Sequence, residues 1–385
     1  MHVAHVITRL IIGGAQENTL LTCEGLHQRG RRVTLISGPT QGPEGSLRGR
    51  AQRGGYAFIE VPELIRAVRP WTDWRALRRL TTTFRELRPD VVHTHSSKAG
   101  ILARLAAERA RVPVIVHTVH GMSFNRTQPW PVRRFYAALE RRAARCTHAI
   151  VGVADAMVRQ MLAAGIGTPQ RMHTVYSGME VERFDPRRCD RASVRQEWGV
   201  GEDEVVVGSV ARLFRNKGYE QLIRIMADAA ARESRLCFVW VGDGAQRAEY
   251  EAALRKRGLA ERTTLLGLQA PERIPAILAG CDLLAHTSQW EGLPRAVVQA
   301  LLMETPAVAF AIDGTPEVVL DGRTGRLVPL GDERAFADAL VELARDAPMR
   351  RQMGKVGREL CLQRFDWRRM VAQLDALYAQ LRSAQ

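Results

Sequence analysis

Short apolar strands and helix-length amphipathic stretches alternate along almost the whole chain, and this alternation restricts the fold more than any other feature. Residues 3–7 form an apolar strand and Gly13-Gly14 a turn. Residues 15–29 form a helix with Leu20, Leu21 and Leu26 on its face, and residues 32–36 the next strand. The pattern recurs with strands at 56–61, 91–95, 114–118 and 149–151, and helices at 74–87, 99–109 and 132–145. Strand-helix-strand units in series predict a parallel doubly wound sheet covered on both faces, whose ligands lie at the carboxyl ends of the strands.

From about residue 176 to 203 the periodicity lapses into Pro186-Arg187-Arg188-Cys189-Asp190 and Gly199-Val200-Gly201, which marks the connection between two domains. A second α/β series follows, with strands at 205–210, 236–241, 264–266, 283–286, 307–310 and 325–328. A chain of 385 residues suits two cores, here 1–185 and 186–367.

Charge divides the same way. Residues 1–185 carry 27 basic and 14 acidic side chains, the remaining 200 carry 29 and 27. A basic first half attracts an anionic acceptor, an anionic lipid surface or nucleic acid, and charge alone does not choose among them. The six cysteines are scattered without a Cys-x-x-Cys pair, which argues against a metal knuckle or a disulfide scaffold. No charge-free run of about 18 apolar residues occurs, and the N-terminus enters a strand without a charged leader region, so a cytoplasmic protein is expected.

Three strand ends of the second half carry loops of the kind that hold a ligand. The strand at 205–210 is followed by Arg212 and Lys217-Gly218, the next by Gly242-Asp243-Gly244, and the strand at 283–286 by Glu291-Gly292-Leu293-Pro294. Two cations suit a diphosphate, Arg212 bidentately and Lys217 as a point charge, and Glu291 accepts from hydroxyls. Pro294 fits the first position of a helix whose leading amides, at Arg295, Ala296 and Val297, face a phosphate. Gln299 lies one turn further on, on an otherwise apolar helix, and its polarity calls for a partner. An acid for hydroxyls beside donors for phosphate points to a phosphorylated sugar. In the first half, Gly13-Gly14 opens a helix after the first strand without Gly-x-Gly-x-x-Gly spacing, and His120-Gly121 follows the strand at 114–118.

With Gly314-Thr-Pro-Glu317 and Asp321-Gly-Arg-Thr-Gly-Arg-Leu-Val-Pro329, these motifs stand in an order that resembles the retaining GT-B glycosyltransferases of family 4, the group 1 glycosyl transferases, over essentially the whole chain. The resemblance implies two Rossmann-like domains facing a deep cleft, the first binding acceptor, the second binding a UDP- or GDP-sugar, with a last helix at about 368–385 returning to the first. It assigns Arg212 and Lys217 to the donor diphosphate and Glu291, with the Gly292 and Leu293 amides, to the donor sugar. His120 would also touch the sugar, Gly13, Gly14, Gly242 and Gly244 would approach the donor, and Gln16 and Arg126 are candidates on the acceptor side. Gln299 stands where the family carries a second glutamate that grips the ribose, and Gln16 where a glutamate is commoner; both departures weaken donor binding more than fold.

No Asp-x-Asp pair occurs, so catalysis is expected to be metal independent and without a cofactor, the nucleotide-sugar being a substrate. No second carboxylate is placed as a nucleophile, which favours attack on the front face over double displacement. The stretch 64–79 mixes Trp71 and Trp74 with five arginines, as a helix on an anionic membrane would, although an ordinary solvated helix with inward tryptophans fits the same pattern. The expected acceptor is a lipid-linked or cell-envelope glycan. A sugar-nucleotide epimerase is the alternative enzyme. A basic nucleic-acid binder is the non-enzymatic one, and the chain lacks its stacking motif or recognition helix.

Overall fold

The computed structural model describes residues 1–40, 45–124 and 128–385. The chain divides into two compact units, one comprising Met1–Gly178 and Trp367–Gln385, the other Met179–Asp366. The first unit ends at Gly178 and not at 185 because the next segment is anchored to the second. Val181 and Phe184 are buried, and Arg358 donates to the Phe184 carbonyl at 2.6 Å and lies 3.7 Å from Asp185.

In the first unit, seven parallel strands run β1 (His2–Ile7), β2 (Arg32–Ser37), β3 (Ala57–Glu60), β4 (Val91–His95), β5 (Val114–Val119), β6 (Ala149–Gly152) and β7 (Met172–Thr174), in spatial order β3-β2-β1-β4-β5-β6-β7. Alternation along β1 sends Val3 and Ile7 to one face and Ala4 and Val6 to the other. The first face is covered by the helix Gly14–Gln28 and by the closing helix Trp367–Ser383, through Leu20, Leu26, Met370, Leu374 and Tyr378. The second is covered by Pro70–Leu87 and Ser97–Arg109. The closing helix is fastened by Asp375, which accepts from Arg29 at 3.2 Å and from Arg31 at 2.8 Å.

The second unit holds β8 (Val205–Val210), β9 (Leu236–Val241), β10 (Thr263–Gly267), β11 (Leu283–His286), β12 (Ala307–Phe310) and β13 (Gly325–Val328), in order β10-β9-β8-β11-β12-β13. Strand order therefore reverses direction between β1 and β4 and again between β8 and β11. At such switch points neighbouring crossovers leave to opposite faces and open a crevice at the carboxyl ends.

Some elements escaped the periodicity. The helices Arg48–Arg53, Asp155–Ala163 and Arg191–Glu197 are short, and β7 is three residues with no apolar run, so each repeats its period too few times to stand out. The six cysteines are free thiols.

Candidate active site

The second unit's switch point is where the ligand-type loops meet. After β8 the chain passes Arg212 and a short turn Arg215–Lys217 before the helix Tyr219–Arg232. The Gly218 backbone sits at φ 72°, in the left-handed region, and a Cβ there would collide with the Thr287 carbonyl. That close approach brings the β11 loop against the β8 loop. Thr287 Oγ1 donates to the Lys217 carbonyl at 3.0 Å, and the Gln289 amide to the Asn216 carbonyl at 3.0 Å.

Stapled in this way, the Lys217 ammonium reaches the Glu291 carboxylate directly, each side chain only 17% exposed. His286 Nε2 lies 3.5 Å from the same Glu291 oxygen, and the Glu291 amide donates to Asp313 Oδ2 at 2.7 Å. Burial alone would push the Glu291 carboxyl up, but the Lys217 ammonium, with His286 beside it, outweighs burial and holds it well below the usual carboxylate range. Glu291 is therefore an anion, one of whose oxygens meets Lys217 and His286, and a carboxylate accepts hydrogen bonds from hydroxyls.

Arg212 is exposed on the same loop, its guanidinium stacked 5.0 Å from the centre of the Phe214 ring. After β9, Gly242 has φ 129°, and a Cβ on it would strike the Ala211 carbonyl; a Cβ on Gly244 would strike the Leu213 carbonyl. Both glycines let the β9 loop pack on the β8 loop, so close backbone approach is what the fold itself requires of them. Gly292 and Leu293 are buried in the β11 loop. Two expectations need correction. Pro294 caps the helix Arg295–Leu302 instead of occupying its first turn. The Val297 amide donates to the Pro294 carbonyl at 3.0 Å and is not free for phosphate, because the helix opens with a tight turn. Arg295 and Ala296 stand half-buried in the first turn of this helix. Gln299 lies half-buried on this helix.

In the first unit, Gly13 caps and Gly14 begins the helix after β1, with Gln16 Oε1 folded back over Gly13. His120 follows β5 and shares a 3.0 Å hydrogen bond with His95 Nδ1. Arg126 lies outside the described residues. Reading the sequence did not single out His286, Asp313, Ser288 or Thr315. Ser288 Oγ and Thr315 Oγ1 are buried without a hydrogen-bond partner among the described residues. Thr315 falls inside the Gly314-Thr-Pro-Glu317 motif, so its signal was legible; His286 and Ser288 look like the polar end of an ordinary strand.

Two family models cover this chain, the glycosyl transferases group 1 model at residues 190–360 and the glycosyl transferase 4-like domain at 13–178. The UDP-Gal:alpha-D-GlcNAc-diphosphoundecaprenol alpha-1,3-galactosyltransferase of Escherichia coli is 30% identical over 354 residues, 89% of this chain and 88% of that protein. This chain is a group 1 glycosyltransferase. Another relative of this glycosyltransferase, the GDP-mannose-dependent alpha-(1-6)-phosphatidylinositol monomannoside mannosyltransferase of Mycolicibacterium smegmatis, is 27% identical over 87% of both chains. Among solved structures, Anabaena Alr3699/HepE in complex with UDP and glucose superposes with a TM-score of 0.84 over 99% of this chain and 100% of that one, at 21% identity. The fold of the glycosyltransferase is GT-B.

The first unit of the glycosyltransferase also settles which way the tryptophans of the arginine-rich helix face. Trp71 is 81% and Trp74 47% exposed, and Arg66, Arg69, Arg75, Arg78 and Arg79 are all exposed around them. Trp130, 63% exposed, opens the helix Trp130–Arg145 with Arg134 stacked on its ring. Among the described residues no helix is long and apolar enough to cross a membrane.

Proposed function

We propose that this glycosyltransferase moves a hexose from a UDP- or GDP-sugar to a lipid-linked or cell-envelope glycan, with retention of configuration and without a metal. It works in the cytoplasm, held peripherally on an anionic membrane surface. The observation that carries the reading is the Lys217–Glu291 pair at the switch point of the second sheet. A nucleotide-sugar joins an anionic diphosphate to neutral hydroxyls through one bond, and the pair offers a cation to the first beside an acceptor to the second. Arg212 on the same loop adds a second cation. Negative charge grows on the diphosphate as the glycosidic bond breaks, so cations fixed there stabilise the transition state more than the ground state.

Glu291 is paired with Lys217 and no second carboxylate is placed as a nucleophile, so the acceptor hydroxyl attacks from the face the diphosphate leaves. The departing phosphate oxygen takes the hydroxyl proton, and the new bond forms on the side where the old one broke. Lys217 and Arg212 do the neutralising that a metal held by an Asp-x-Asp pair does elsewhere, and this sequence carries no such pair. The two relatives' names carry a diphosphoundecaprenol and a phosphatidylinositol acceptor, which supports a lipid-linked acceptor, as does the tryptophan-arginine surface.

Incubating the purified protein with UDP- and GDP-sugars, with and without a chelator, tests this. One nucleotide class raises the melting temperature and its sugar is slowly released or transferred, unchanged by chelation. Failure of every nucleotide-sugar to bind would overturn the reading.

A further inference from the structure

Beside the Lys217–Glu291 pair stands a histidine to which the transfer reaction as described gives no part. His286 is the last residue of β11, in register with Ala309 of β12, and is 6% exposed. Its Nε2 lies 3.5 Å from Glu291 Oε1, the oxygen that also meets the Lys217 ammonium. That nitrogen is buried and makes no hydrogen bond among the described residues. Glu291 Oε2 also lacks a partner there, but it is not one of the buried atoms. All three residues belong to the second unit.

A neutral imidazole carries its proton on one nitrogen only. With the proton on Nδ1, the Nε2 lone pair would stand 3.5 Å from an anionic oxygen in a place sheltered from water, where like charges repel strongly. With the proton on Nε2, an N–H faces the anion instead. Electrostatics therefore places a proton on Nε2.

At 3.5 Å this contact is too long for a good hydrogen bond, so a buried donor is left short of its acceptor. An unmet donor of this kind calls for a reason. Lys217 supplies it. Its ammonium, on a flexible stem after a short turn, holds Glu291 directly, and in the proposed reading it also meets the donor diphosphate. A lysine divided between two anions holds each of them less firmly. His286 is carried by a strand, and a carboxylate that loses part of its countercharge moves toward the nearest remaining donor. Closing the gap to about 2.8 Å makes a charge-assisted bond.

The geometry points to His286 as a positioning residue of the transfer site: its Nε2–H holds Glu291 Oε1 as Lys217 is shared with the diphosphate, and so keeps Oε2 turned to a hydroxyl of the donor sugar. The inference deepens the proposed reading and rests on it for what Oε2 meets. A carboxylate fixed in this way accepts the hydroxyl without first losing rotational freedom.

Two measurements test it. The first reads the proton on His286 in protein labelled with 15N-histidine, by long-range proton–nitrogen correlation near neutral pH with no nucleotide-sugar added, the signal being assigned by its loss in His286→Gln. A proton on Nε2 is expected, and a bare Nε2 overturns the proposal. The second titrates UDP-galactose and GDP-mannose, and then UDP and GDP, into wild type and variants by calorimetry. His286→Leu should weaken binding of the nucleotide-sugar about 10- to 100-fold, as for loss of a hydrogen bond to a charged group, and leave binding of the matching nucleoside diphosphate unchanged. His286→Gln, whose amide N–H reaches about as far as the imidazole Nε2–H, should recover most of the loss. Equal weakening of sugar-bearing and sugar-free nucleotides in His286→Leu, or weakening of neither, overturns the proposal. Binding of no nucleotide by wild type sinks the transfer reading as well, whereas a bare Nε2 with binding intact sinks this inference alone. Should His286→Leu not fold, the wild-type spectrum and the His286→Gln titration still decide.

Discussion

Lys217 and Glu291, 74 residues apart in the chain, form one ion pair at the point where the second sheet reverses its strand order. Each partner is largely removed from water, so each depends on the other for its charge. Lys217→Met or Glu291→Gln alone strands a charge and should destabilise by up to about 3–5 kcal/mol. The double variant should lose less than the sum of the two. Urea unfolding checks this; additive losses would mean the pair is not coupled. Sugar transfer should fall about 100- to 1000-fold in either single variant if the pair meets the donor.

The same pair gives acid sensitivity a definite sign. Glu291 has a folded-state affinity for protons below its unfolded one, so its contribution to stability is present above the unfolded carboxylate pKa, about 4.3, and is lost as pH falls further. The stability difference between wild type and Glu291→Gln should thus be level from pH 6 to 8 and shrink below about pH 4. A difference that grows on acidification would contradict the depressed pKa.

Gly218 holds the two loops together at a left-handed φ, against the Thr287 carbonyl. Gly218→Ala adds backbone strain of about 1–3 kcal/mol and a collision with that carbonyl. Its melting temperature should drop, and nucleotide affinity should drop with it because Lys217 and Glu291 separate. Calorimetry on the variant, first alone and then with nucleoside diphosphates, measures both.

Gln299 offers an amide where a carboxylate would make a charge-assisted bond to a ribose hydroxyl. Gln299→Glu should tighten nucleoside diphosphate binding by about 1–2 kcal/mol, roughly tenfold. The gain should disappear with a dideoxy-ribose analogue. Equal affinity of the two proteins for the ordinary nucleotide would place residue 299 away from the ribose.

Trp71 and Trp74 stand outward among five exposed arginines. Wild type should float with anionic liposomes at low salt and release at high salt, each arginine near the surface adding about 1 kcal/mol. Trp71→Ser with Trp74→Ser should weaken flotation while leaving donor hydrolysis intact. Salt-insensitive or absent flotation of wild type would remove the membrane from the reading.

Most strands were legible because strands buried on both faces read as unbroken apolar runs between turn residues, as at Val205–Val210 and Leu236–Val241. The candidate residues Arg212, Lys217 and Glu291 were legible because they follow such runs. His5, His93 and His95 were not. A histidine inside a strand has the look of a core residue, and only the register of β1 on β4 shows that two of these rings face each other. The outward tilt of Trp71 was equally hidden, since the composition of residues 64–79 fits a helix packed either way round.

The amino-acid order alone determined the α/β alternation, the number of cores and which loops carry ligand-type residues, because periodicity and turn chemistry act over a few neighbouring residues. Tertiary structure alone decided that Lys217 neutralises Glu291 and that the rings of His5, His95 and His120 are joined in series. Each of these depends on strand order and on loops meeting across the sheet, and contacts between residues some 25 to 90 positions apart leave no mark on local sequence.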